Sequence, residues 1–86
     1  MLTTPLSMIP KGSWAIVYAI HPAHKQDIIA QRLYDLGFVP GERVQLIART
    51  PFTAGPVAVK IGLTRFALRQ SEAARVLVIQ EIYDNQ

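Results

Sequence analysis

Between Arg32 and Val44 the chain reads Arg-Leu-Tyr-Asp-Leu-Gly-Phe-Val-Pro-Gly-Glu-Arg-Val: a helix end, its stop, a turn and the start of a strand, with nothing in between. Leu33 and Leu36 continue an apolar helical stripe that begins at Ile28 and Ile29. Gly37 follows at once, where a helix ends at least cost on a left-handed residue without a Cβ. Pro40-Gly41 turns the chain, and Val44 opens an alternating segment. Such a join seats a helix on the corner of a sheet. None of its residue types does covalent chemistry, so the constraint it carries is architectural.

The rest of the chain supplies the sheet. Residues 1–12 hold two prolines and a Lys11-Gly12 turn and read as a lead-in, with Leu6, Met8 and Ile9 pinning it to the core. From Ser13 to Ile20 the pattern is strand-like, Trp14, Ile16, Tyr18 and Ile20 lining one face and Ala15, Val17 and Ala19 the other. His21-Pro22 stops it. Lys25 to Leu36 is the helix, with Ile29, Leu33 and Leu36 on its apolar face, Ile28 widening that face, and Asp27 in the first turn. Val44, Leu46 and Ala48 alternate with Arg43, Gln45, Ile47 and Arg49; Val57, Val59 and Ile61 alternate with Ala58 and Lys60. Gly62-Leu63 is a tight turn into Phe66 and Leu68, which alternate with Arg65, Ala67 and Arg69. Gln70 to Ala74 suits one helical turn capped by Ser71, and Val76 to Ile82 is the last strand. The fold class expected is mainly β with one α-helix: a small five-stranded barrel closed at one end by the helix, forming a single domain over residues 1–86 with a frayed tail at 83–86.

Composition removes several function classes. The chain has no cysteine, which excludes disulfides, thiolate zinc sites, iron–sulfur clusters and cysteine nucleophiles. No apolar run reaches the roughly 18–20 residues that span a bilayer, and the N-terminus lacks the basic-then-apolar order of a signal peptide. A cytoplasmic protein is expected, touching a membrane only through a partner. The glycines sit in separate turns, with neither GxxxxGK[ST] nor GxGxxG. Ser7, Ser13 and Ser71 are far apart, and no histidine is paired with an acid by a recognisable motif. The expectation is a protein that is not an enzyme.

Two constellations remain. His21-Pro22-Ala23-His24 has the spacing at which two imidazoles share a late transition metal, and Asp27 lies one helical turn beyond. His21, His24 and Asp27 are therefore the metal-ligand candidates, for a weakly bound divalent ion such as zinc or iron, with no cofactor required. The second is surface. The net charge is +3, and Arg43, Arg49 and Arg65 fall on outward positions. Several strands are apolar on both faces, Ile47 opposite Leu46 and Leu77 and Ile79 opposite Val76 and Val78. The loop from Thr50 to Pro56 presents Phe52 beside Pro51.

The run Arg-Leu-x-x-Leu-Gly-Phe-x-Pro-Gly-x-x-Val at Arg32–Val44 resembles the signature of FeoA domains, small SH3-like β-barrels of bacterial ferrous-iron transport. Pro51 with Gly55-Pro56-Val57, then Gly62, Ala67-Leu68-Arg69, Glu72-Ala73 and Val76 to Ile79 resemble later parts of the family in the same order. Gly55 stands where many relatives carry an acidic residue. The resemblance implies a non-enzymatic accessory protein that docks on the cytosolic part of FeoB, a membrane ferrous-iron transporter with a GTP-binding domain. Under that reading Arg43, Arg49, Pro51 and Phe52 are the partner-contact candidates, and a homo-oligomer is open. Two alternatives stand beside it: a small basic barrel that binds nucleic acid, and a metal-responsive module like the C-terminal domain of iron-dependent repressors.

Overall fold

The computed structural model describes residues 2–23, 25–50 and 55–81. Among the described residues, six strands lie in one antiparallel sheet: β1 (Thr4–Pro5), β2 (Trp14–Ile20), β3 (Arg43–Arg49), β4 (Val57–Ile61), β5 (Thr64–Leu68) and β6 (Val76–Gln80). Their order across the sheet is β1-β6-β2-β3-β4-β5. A helix, α1 (Ile28–Leu36), joins β2 to β3, and a four-residue helix, α2 (Gln70–Ala73), joins β5 to β6. The arrangement is SH3-like, a small barrel that stays open between β1 and β5. The sixth strand is the lead-in, where no regular element was expected: Thr4 pairs with Val78 and Pro5 with Leu77. A 3-10 turn at Leu6–Met8 then drops Leu6 and Ile9 into the core at 0% exposure while Met8 faces out, contrary to its expected pinning role.

The inward side chains are those that alternation predicts, with two phase changes. Val57 and Val59 on β4, Leu68 on β5, and Val76 and Val78 on β6 are buried. On β2 the core face is Ala15 and Val17, not Trp14 and Ile16. A register shift between Val17 and Ala19 then inserts one residue, so Tyr18 is exposed and Ile20 returns to the interior. β3 repeats the device between Leu46 and Ala48: Val44 and Leu46 are buried, Ala48 only partly.

Helix α1 starts three residues later than its periodicity predicts, because Asp27 is its cap and not part of its first turn. Asp27 Oδ1 accepts the Ala30 N–H at 3.1 Å. The buried face is Ala30 and Leu33, with Leu36 packed partly against the core, while Ile28 and Ile29 are exposed. At the other end Gly37 has φ 113°, and its N–H reaches the Tyr34 carbonyl at 3.0 Å. The Phe38 N–H returns to the Leu33 carbonyl, also at 3.0 Å. This stop carries Phe38 into the same buried core as Leu33. A Cβ on Gly37 would meet Ile61 Cγ2 at 3.4 Å, so helix end and sheet are in contact there.

Candidate docking surface

The polar side chains that sequence reading left for chemistry are mostly holding the fold together. Asp27 caps α1 with Oδ1, while Oδ2 accepts the Ala23 N–H at 2.9 Å and pairs with Arg75 Nη2. The Arg75 guanidinium, then the Ala23 amide, hold the Asp27 carboxyl well below the usual carboxylate range, against the opposing effect of its burial. Arg75 also donates from Nε to the His21 carbonyl at 3.1 Å, and its own carbonyl accepts the His21 N–H at 2.7 Å. The His21 loop is thus tied to the turn before β6. His21 is exposed, and His24 lies outside the described residues. Among the described residues no three His, Cys, Asp or Glu side chains converge as a metal site. A metal using Asp27 would have to displace Arg75.

A second latch joins α1 to α2. Glu72, 3% exposed, takes Arg32 Nη1 on Oε2 at 3.1 Å and the Arg69 backbone N–H on Oε1 at 2.9 Å. Glu72 therefore caps α2 from within, the role that sequence reading gave to Ser71. Nothing near Arg32 or Glu72 in sequence signals the partnership, because the two lie forty residues apart.

Of the partner-contact candidates, Arg49 faces the lead-in. Its Nη2 donates to the Ser7 carbonyl at 2.7 Å and to the Ile9 carbonyl, clasping the segment that carries Leu6. Pro51 and Phe52 lie outside the described residues. At the end of that loop Thr50 Oγ1 donates to the Pro56 carbonyl at 2.8 Å. A Cβ on Gly55 would come within 2.6 Å of Thr50 Oγ1, which accounts for glycine at that position. Arg43 does lie on the outer face. Its guanidinium stacks on Trp14, 4.2 Å from the ring centroid, and makes two bonds to Glu81, at 2.7 and 3.0 Å.

The register gives this outer face its organisation. Trp14 is opposite Gln45, Gln45 opposite Lys60, and Lys60 opposite Arg65, one polar row across β2, β3, β4 and β5. At the end of the β4–β5 hairpin away from its turn, a cavity of about 360 Å³ is lined by Pro56, Arg69, Gln70 and Ser71. The row has hydrogen-bonding capacity and positive charge, which suits recognition of an acidic surface.

The FeoA domain matches residues 4–80. The chain belongs to the FeoA family. Among solved structures, the Stenotrophomonas maltophilia FeoA complexed with zinc is 45% identical, with a TM-score of 0.80 over 94% of this chain and 96% of that one. An iron uptake regulatory protein, also a FeoA, is 31% identical, with a TM-score of 0.79 over 93% of this chain and all of that one. A manganese-dependent transcriptional repressor shares the fold at 21% identity and a TM-score of 0.76, over 92% of this chain but only 42% of its own length. No curated protein matches the sequence. FeoA domains are small SH3-like modules implicated in ferrous-iron transport, and the FeoA fold is also that of the repressor's matched part. Among the described residues of this FeoA chain, no helix is long and apolar enough to cross a membrane.

Proposed function

We propose that this FeoA protein is a non-catalytic cytoplasmic regulator of ferrous-iron uptake, acting by docking on the cytosolic part of the FeoB transporter. One observation carries the reading: a chain matched to the FeoA domain over residues 4–80 commits the buried Glu72 and the half-buried Asp27 to capping and latching helices. What it offers outward is the basic row ending at Lys60 and Arg65. A protein built in this way acts by being bound.

The Stenotrophomonas relative was obtained with zinc and is discussed as a ferrous-iron transport activating factor. Among the described residues no carboxylate converges with His21 as a metal site, and the proposed docking is stated without a metal step. The test is capture of the purified chain by the cytosolic GTP-binding part of the transporter, with and without guanine nucleotide. Saturable binding in at least one nucleotide state is expected. Absence of binding in every state, by a chain that melts cooperatively, rejects the proposal.

A further inference from the structure

β5 is the last strand of the sheet, and among the described residues no strand pairs with its outer edge. Gly62 has φ 58° and, among the described residues, none other than glycine has positive φ, which makes Gly62-Leu63 a two-residue turn of the II′ kind. Ile61 and Thr64 then form the hydrogen-bonded pair that closes the hairpin. Bonded and non-bonded pairs alternate along an antiparallel ladder, so Val59–Phe66 and Val57–Leu68 are bonded, while Lys60–Arg65 and Ala58–Ala67 are not. The backbone N–H and C=O groups of Arg65 and Ala67 therefore point away from β4, and both residues are exposed.

Proteins usually blunt such an edge with charged side chains, proline, a bulge or a covering segment. Among the described residues β5 has only the first of these, at Arg65. Its five pairs with β4 run without a register shift, whereas the β2–β6 and β3–β4 ladders each slip once. The side chains on one face of β5 read basic, small, basic at Arg65, Ala67 and Arg69. Lys60 sits directly across from Arg65. Among the described residues, Lys60, Arg65 and Arg69 have no ion-pair partner. The cavity bounded by Pro56 and Arg69 continues the line of the edge.

We propose that the free edge of β5 takes up an acidic, extended segment of a partner protein as an added strand, its alternate carboxylates seated on Arg65 and Arg69 around a small apolar side chain over Ala67. Main-chain bonds from Arg65 and Ala67 supply the pairing, and the flanking guanidinium groups supply the selectivity. A second copy of this chain is a poor occupant. Antiparallel pairing of two β5 edges centred on Ala67 would set Arg65 opposite Arg69 of the other copy, like charges face to face. This inference rests on the docking reading and names its surface.

The probe is a capped eight-residue peptide of alternating glutamate and valine, titrated at physiological salt and followed by backbone amide chemical shifts. Shifts centred on Arg65 and Ala67 are expected, with about tenfold weaker binding in an Arg65→Glu/Arg69→Glu variant. Ala67→Pro removes one outward N–H and leaves every β4 bond in place, so it should fold and bind at least as weakly. A peptide in which lysine replaces glutamate should not bind. Shifts centred elsewhere, or wild-type affinity in the double charge variant, overturn the proposal. Tighter binding of oligouridine than of the acidic peptide also overturns it and gives the row to nucleic acid. The two readings separate cleanly. If the transporter's cytosolic part captures wild type and Ala67→Pro equally, the edge is wrong and docking stands. If it captures neither while the peptide behaves as described, docking falls and the edge stands.

Discussion

The two margins of the sheet are built in opposite ways. On the β1–β6 side, a proline sits in the terminal strand, Leu6 and Ile9 plug the interior, Arg49 clasps their backbone, and Arg75 ties α1 and its loop to the turn before β6. On the β4–β5 side the strand is regular, exposed and basic. The first margin carries stability; the second is left available. In so small a domain, a surface free for recognition is one that the core does not depend on.

That contrast breaks most visibly at Leu6. Leu6→Ala should lower unfolding free energy by about 2–5 kcal/mol, read from thermal or urea denaturation, because a fully buried side chain leaves a cavity. A loss as small as a surface change produces would mean that the lead-in does not plug the core. Arg49→Ala comes next, at about 1–3 kcal/mol, since the Ser7 and Ile9 carbonyls lose a charged donor. If that variant keeps wild-type stability yet loses partner binding, Arg49 belongs to the docking surface after all.

The Asp27 latch sharpens the comparison through pH. Its carboxyl titrates lower in the folded chain than in the unfolded one, so its contribution is complete above about pH 4 and is lost as pH falls below that. Asp27→Asn should be less stable than wild type at neutral pH and should show a flatter acid limb. Parallel curves for the two proteins down to pH 2 would remove the latch from the account. The smallest change belongs to the open margin, where Arg65→Glu should move stability by no more than about 0.5 kcal/mol while it weakens the acidic peptide.

Much of this was legible in the residues. The join from Arg32 to Val44 is read correctly because each of its signals is local: apolar spacing, a glycine stop, a proline–glycine turn. The Lys60–Arg65 pairing was equally within reach, since a two-residue turn at Gly62-Leu63 fixes the hairpin register. The β2 core face was not. Tyr18 and Ile20 look equivalent to a period of two, and only an inserted residue opposite β6 sets them apart. The latches escape for another reason. Arg75 and Asp27 are forty-eight residues apart, and nothing in either neighbourhood names the other. Arg49 is a partner-contact candidate by sequence and here clasps the lead-in carbonyls; a strand arginine can face solvent or a neighbouring carbonyl, and sequence does not choose.

The pairing of Thr4 with Val78 has a kinetic side. The earliest strand of the sheet waits for the last one, so Leu6 and Ile9 stay exposed to water until β6 has been made and docked. A pairing of such long sequence separation raises the contact order of the sheet, and high contact order slows the folding of small domains. On a ribosome, β2 through β5 can pair hairpin by hairpin as they emerge, and the apolar plug is the final piece to seat.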